Sequence, residues 1–264
     1  MVDKSEKFRW LVRLGFAARG LVYLLIGYLA LSASEGETGP EGALNWLQDV
    51  PLGEPLLYLS AVGLLAYALY RFCSVLFDVD NHGNTGKGLV VRIGHGASAI
   101  THLLLAWTAF EFAQGTKQSA SGGGAEEAAG TLLSYSLGSL ALGIIGLGFV
   151  AAAAMQAKSA VTGNFMKRVA GDAPAAVKPL GHAGYAARAV VFAIIGWSLM
   201  RSAWFASTSQ VKTLGEAVSS LADNGTIYTL VAAGLLMFGV FSLVTARYRI
   251  VPDIERGDLK PTMH

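Results

Sequence analysis

The sequence predicts an all-α, polytopic membrane protein: six transmembrane helices arranged as three parallel helical-hairpin repeats with pseudo-threefold symmetry. Three observations lead there. Of 264 residues, 53% are hydrophobic and only 14% are charged, whereas charged residues make up about a quarter of a soluble domain. Six apolar stretches each approach the roughly 20 residues that cross a bilayer as a helix. The chain also resembles itself three times over, and such repeats govern the reading of everything else.

The apolar stretches run approximately over 14–33, 56–77, 94–113, 132–157, 183–204 and 227–246. Lipid offers no partner to a bare N–H or C=O group, so uninterrupted apolar segments of this length must be helices. The first follows Lys4, Lys7, Arg9 and Arg13 and so has the outline of a secretion signal. The same local pattern recurs twice downstream, and Leu31 spoils the small-x-small site a peptidase would need at Ala33. A retained helix is expected.

The repeat is read from aligned glycines. Leu14-Gly15-Phe16-Ala17-Ala18-Arg19 matches Ile93-Gly94-His95-Gly96-Ala97-Ser98 and Ala183-Gly184-Tyr185-Ala186-Ala187-Arg188. The second helices align on Gly63, Gly146 and Gly234, which follow the first glycines by 48, 52 and 50 residues. Two helices per unit return the chain to its starting side, so the copies are parallel repeats about an axis along the membrane normal. One membrane domain spans 1–264, with units at approximately 10–80, 90–165 and 180–250. The copies have diverged: Tyr23, His102 and Phe192 correspond, as do Arg19, Ser98 and Arg188.

Each connection within a unit carries a short amphipathic stretch, at 41–50, 126–133 and 212–222. These read as interfacial helices lying on the membrane surface. Gly53, Gly138 or Gly225 follows each, where glycine suits a sharp turn back into the membrane. The links between units, 78–87 and 162–179, are polar and irregular.

Basic residues set the orientation, because cytoplasmic segments hold the excess of Lys and Arg. The N-terminus, the two inter-unit links and the C-terminus, with adjacent helix ends, hold 17 of the 20. The connections within units hold only Lys117, Arg201 and Lys212. Both termini are therefore expected in the cytoplasm and the protein in a bacterial inner (plasma) membrane.

Candidate residues follow from polar groups inside the apolar stretches, which are expensive there and mark function or pairing. Arg19 and Arg188 sit about one turn inside the basic boundary. Their plain role is to anchor on headgroups by snorkelling; the sharper one is a lipid or anion site, since guanidinium suits phosphate. Glu111 and Arg201 hold equivalent positions near the opposite ends of their helices, where symmetry would let them pair. Tyr23, Ser98 and His102 are the remaining polar intramembrane candidates. A haem would need a second ligand besides His102, and only His182 near the basic end is available. The run from Asp78 to Asn84 has acids at positions one and three of a calcium loop, but Leu89 stands where the bidentate Glu belongs. Cys73 is the only cysteine, so no disulfide or cysteine metal cluster forms within the chain. No catalytic set, metal site or cofactor is expected. A net charge of +2 with no basic run gives no reason for a nucleic-acid partner.

The segments 15–27 and 184–196, with the linker from Asp78-Val79-Asp80 to Lys87-Gly88 and Arg92, resemble the repeat signature of a bacterial membrane family, domain of unknown function 1206. The resemblance covers nearly the whole chain and implies three tandem two-helix repeats. Ser98 and His102 in the middle unit depart from it, standing where arginine and Tyr or Phe are usual.

The function expected is that of a non-enzymatic membrane component that binds lipids or another membrane protein. The alternative is a small-solute or ion transporter or channel with a polar site near the repeat axis, built from Tyr23, Ser98 and His102.

Overall fold

The computed structural model describes residues 4–32, 39–79, 83, 85–117 and 123–251. The described residues are helical nearly throughout. Six helices are long and apolar enough to cross a membrane, which makes this a multi-pass membrane protein: α1 (Lys4–Leu31), α3 (Gly53–Leu76), α4 (Gly86–Ala113), α6 (Gly138–Thr162), α7 (Val177–Phe205) and α9 (Gly225–Tyr248). Three shorter helices, α2 (Pro40–Asp49), α5 (Gly123–Leu133) and α8 (Leu214–Ser219), occupy the connections within the repeats.

Several boundaries differ from the hydropathy pattern for physical reasons. The helices α1 and α4 begin well before their apolar stretches, at Lys4 and Gly86, because a helix continues into the polar phase while hydropathy reports only the part in lipid. Residue 33, the expected end of the first stretch, lies outside the described residues. The fourth helix begins at Gly138 rather than Leu132, since Leu132 and Leu133 still belong to α5.

Gly138 and Gly53 make the sharp turns expected of them, though neither has a positive φ. A Cβ on Gly53 would fall 1.7 Å from the Leu47 carbonyl oxygen, and one on Gly138 1.9 Å from that of Leu132. Close approach of the preceding helix demands glycine here, while Leu52 takes the left-handed backbone at φ 64°. Gly225 differs, as a Cβ there would meet nothing within 4 Å.

The short helices are not all surface-lying. Gly42, Ala43, Leu44 and Leu47 of α2 are buried against α1, α3, α4 and α8, so α2 caps the far end of the bundle. The six-residue α8 starts on a capping box, Thr213 accepting from the Glu216 N–H and Glu216 from the Thr213 N–H, and it packs between α7 and α9. By contrast, α5 is largely exposed and touches α6 and the 3-10 turn Thr208–Gln210. At the basic end, the 3-10 turn Asn164–Arg168 is pinned beneath the bundle by a bridge between Val169 and Arg249. Its Phe165 stacks on Tyr185 at 5.0 Å.

Neighbouring helices follow the order α4–α3–α1–α9–α7–α6. The extensive interfaces lie between units, α3 on α4, α9 on α1 and α6 on α7, with α1 on α3 and α7 on α9 closing the first and third hairpins. The two helices of the middle hairpin, α4 and α6, share no packing interface. The expected pseudo-threefold symmetry is therefore not confirmed. Glycines set the close approaches: a Cβ on Gly27 would lie 2.5 Å from the Leu236 nitrogen, and Gly146 and Gly196 face each other's backbone across α6 and α7. Without a hydrophobic force between helices in lipid, such van der Waals contact is what joins them.

A candidate anion site

Arg19 lies on α1 about five residues past the start of the apolar stretch, roughly 7–8 Å along the helix. It is 6% exposed, so it is not the snorkelling anchor that its position suggests. The side chain turns inward because its helix faces α3 and α9 closely, with glycines at both seams: Gly15 against the Tyr67 backbone and Gly20 against Leu243. One terminal nitrogen donates to the Tyr67 hydroxyl at 2.7 Å and the other to Ser242 Oγ at 3.1 Å, both neutral oxygens. The Arg19 Nε is buried with no hydrogen-bond partner among the described residues. Its guanidinium carbon stands 4.5 Å from the Phe16 ring centre and 5.0 Å from that of Phe238.

Arg188, its counterpart on α7, is half-buried and among the described residues rests on aromatic faces alone. Its guanidinium carbon lies 4.5 Å from the Phe238 centroid, 4.9 Å from Phe192 and 5.3 Å from Tyr23. Its Nε too is buried without a hydrogen-bond partner among the described residues. Two cations from equivalent positions in the first and third units thus share Phe238. Among the described residues neither is paired with a carboxylate. Each cation–π contact contributes on the order of 0.5–2 kcal/mol, which offsets only part of what an unpaired intramembrane arginine costs. The surplus positive charge is what an anion would neutralise.

The site is wider than the sequence alone reveals. Arg71 donates to the same Tyr67 hydroxyl through Nε at 3.0 Å and Nη2 at 2.6 Å, so that one phenol oxygen accepts from two guanidinium groups. Arg249 lies 4.6 Å from Phe16 and donates to the Tyr70 hydroxyl. Tyr67 and Phe238 were legible in one respect: each stands four residues after an aligned glycine, Gly63 or Gly234. Ser242 had no comparable signal.

The other candidates separate. Tyr23 joins the site, its ring edge-on to Phe238 at 4.8 Å. His102 packs on Tyr67 at 4.5 Å and donates its Nδ1 hydrogen to the Ser98 carbonyl at 2.7 Å, within its own helix. Ser98 contributes that carbonyl and a hydroxyl 3.5 Å from the same nitrogen. These residues make separate helix contacts instead of one polar path. Glu111 and Arg201 do not pair: their helices, α4 and α7, are not neighbours in the packing order, and Arg201 is exposed over Phe205 at 5.9 Å. In the polar turn, the Gly83 N–H donates to Asp78 Oδ2 at 2.6 Å. Asp80, Asn81, His82 and Asn84, the rest of the calcium-like run, lie outside the described residues.

Fold and site together define a multi-pass helical membrane protein, built from internal repeats and carrying an inward-facing arginine pair. The chain belongs to the family described as Domain of Unknown Function (DUF1206), whose model matches residues 14–78, 93–163 and 183–249. It is similar to the Uncharacterized protein YxxB of Bacillus subtilis (strain 168), with 30% identity over 261 residues covering 93% of this chain and 94% of that protein. No solved structure matches.

Proposed function

We propose that the protein is a non-enzymatic component of a bacterial inner membrane that binds an anionic membrane ligand, phosphate-bearing by chemistry, at Arg19 and Arg188. One observation carries this reading: two guanidinium groups share the Phe238 ring with no carboxylate against either among the described residues. Phosphate oxygens accept several charge-assisted N–H bonds at once, and the buried Nε atoms of both arginines have donors to give. The excess of Lys and Arg at the end bearing the termini supports a cytoplasmic placement of both. That end faces the leaflet richest in anionic lipid.

The test is native mass spectrometry of the full chain extracted gently from its own membrane, beside the Arg19→Gln/Arg188→Gln variant. A bound phospholipid retained by the wild type and lost from the double variant is the expected result. Identical spectra would overturn the reading. A partner protein lost in place of lipid would assign the arginines to a protein carboxylate.

A further inference from the structure

We propose that the ligand of the arginine pair is a phosphomonoester, a terminal phosphate with close to two negative charges, and that the site selects it over a singly charged phosphodiester. The inference rests on the anion reading of Arg19 and Arg188 and adds the ligand's class.

Charge is the first reason. Arg19 and Arg188 are two guanidinium groups with no carboxylate against either among the described residues. The Phe238 ring that they share brings no formal charge to offset them. A phosphodiester supplies one negative charge and leaves one cation unneutralised in the apolar zone, where that is expensive. A phosphomonoester carries about −1.5 to −2 at pH 7 and matches the pair.

Donors are in surplus as well. The Nε atoms of Arg19 and Arg188 are buried and give no hydrogen bond among the described residues. Where Arg19 and Arg71 converge, the Tyr67 hydroxyl oxygen receives three N–H groups, at 2.7, 3.0 and 2.6 Å. That is one more than the two lone pairs of a hydroxyl serve. Tyr67 is 1% exposed, and its own hydrogen reaches no acceptor among the described residues. The three terminal oxygens of a monoester take up more of these donors than the two of a diester.

The surroundings disfavour a capped phosphate. Four rings, Phe16, Phe192, Phe238 and Tyr23, stand 4.5–5.3 Å from the two guanidinium carbons. The hydroxyls that reach Arg19 are engaged: Tyr67 by Arg71, and Ser242 by the Phe238 carbonyl, to which it donates at 2.8 Å. The glycerol of a diester headgroup would lay its hydroxyls among rings that offer no oxygen or nitrogen partner, a desolvation cost that a bare phosphate avoids. Arg71 and Arg188 are only half-buried, so both keep surface for a ligand to meet. A lipid that ends in a bare phosphate and a soluble phosphomonoester share this chemistry.

The test is native mass spectrometry of the full chain, delipidated in detergent and titrated with three lipids of identical acyl chains: phosphatidic acid, its methyl ester phosphatidylmethanol, and phosphatidylglycerol. Phosphatidic acid is expected to bind at least about tenfold more tightly than either diester. In Arg188→Gln, which leaves one cation, that advantage should shrink to within about twofold. Arg188→Lys, which keeps the second charge, should preserve most of it. Melting temperatures of the same samples separate lost binding from lost fold. Inorganic phosphate added as competitor distinguishes the sources: displacement of phosphatidic acid assigns the site to a soluble phosphomonoester, and resistance assigns it to a lipid, either upholding the class. Equal affinity for phosphatidic acid and phosphatidylmethanol, or a preference that survives Arg188→Gln, would overturn the class while the anion site stands. If no lipid responds to Arg19→Gln/Arg188→Gln, the anion reading itself fails.

Discussion

Gly15 and Gly184 each lie against an aromatic residue on the second helix of their own hairpin: a Cβ at either would fall 2.7 Å from the backbone of Tyr67 or Phe238. Gly94, at the same place in the middle hairpin, faces nothing within 4 Å. The glycine is present in all three units; what differs is its opposite number. Four residues past the aligned glycine of the second helix come Tyr67, Phe238 and, in the middle unit, Val150. Val150 is spent on another partner, since a Cβ on Gly196 of α7 would lie 2.9 Å from its nitrogen. A glycine hollow closes a hairpin only when a residue from the facing helix fills it, and the middle repeat has lost that residue to the neighbouring unit. The same two aromatic residues that close the outer hairpins also carry the arginines, so hairpin closure and the anion site share one set of contacts.

The largest expected effect separates the two kinds of hairpin directly. Gly15→Leu and Gly184→Leu must displace backbone, and each should lower stability by about 2–4 kcal/mol, the upper range for overpacking. Gly94→Leu has open space and should stay within about 0.5 kcal/mol of wild type. Thermal unfolding of the three variants in one detergent measures the contrast. Equal losses at Gly94 and Gly15 would mean that the middle hairpin closes in solution as the others do.

Next in size is the polar link across the closed first hairpin. Tyr67→Phe removes the oxygen that accepts from both Arg19 and Arg71. Leaving charged donors unmatched in a buried setting should destabilise by about 1.5–3 kcal/mol. His102→Phe, on α4, keeps a ring against Tyr67 and gives up only a bond to its own helix. It should change stability by less than about 1 kcal/mol. Thermal unfolding again decides, and a His102 effect as large as that of Tyr67 would place α4 inside the same network.

The sequence disclosed the number of membrane helices, the repeats and the arginine pair, because apolar length and aligned glycines are local signals. It did not disclose the open hairpin. Glycine and alanine line both closed and open faces, and which face is filled depends on residues some fifty positions away. The partners of Arg19 show the same limit: Tyr67 lies 48 positions along the chain and Ser242 lies 223. Depth alone predicts snorkelling for Arg19, while the phenol that draws the side chain inward is distant in sequence. The capping role of α2 was hidden too, because an amphipathic ten-residue helix buries its apolar face equally well on lipid or on other helices.

The smallest effect tests whether the middle hairpin ever completes a symmetric ring. Glu111 on α4 and Arg201 on α7 occupy equivalent positions, and a closed threefold arrangement would bring them near enough to pair at the far end. With α4 packed on α3 and α7 packed on α6 and α9, the two groups are apart, and Arg201 covers Phe205. Glu111→Gln and Arg201→Gln should each shift stability by no more than about 0.5 kcal/mol, and the two should add within about 0.3–0.5 kcal/mol, as independent sites do. A double-mutant cycle by thermal unfolding, run in detergent and again in lipid nanodiscs, reads that coupling. A coupling above about 1 kcal/mol in lipid alone would show the bilayer drawing α4 towards α6 and α7. The open hairpin would then be one position of a movable element, because the same closure that pairs these charges must bring α4, now packed on α3 alone among the long helices, towards α6 and α7.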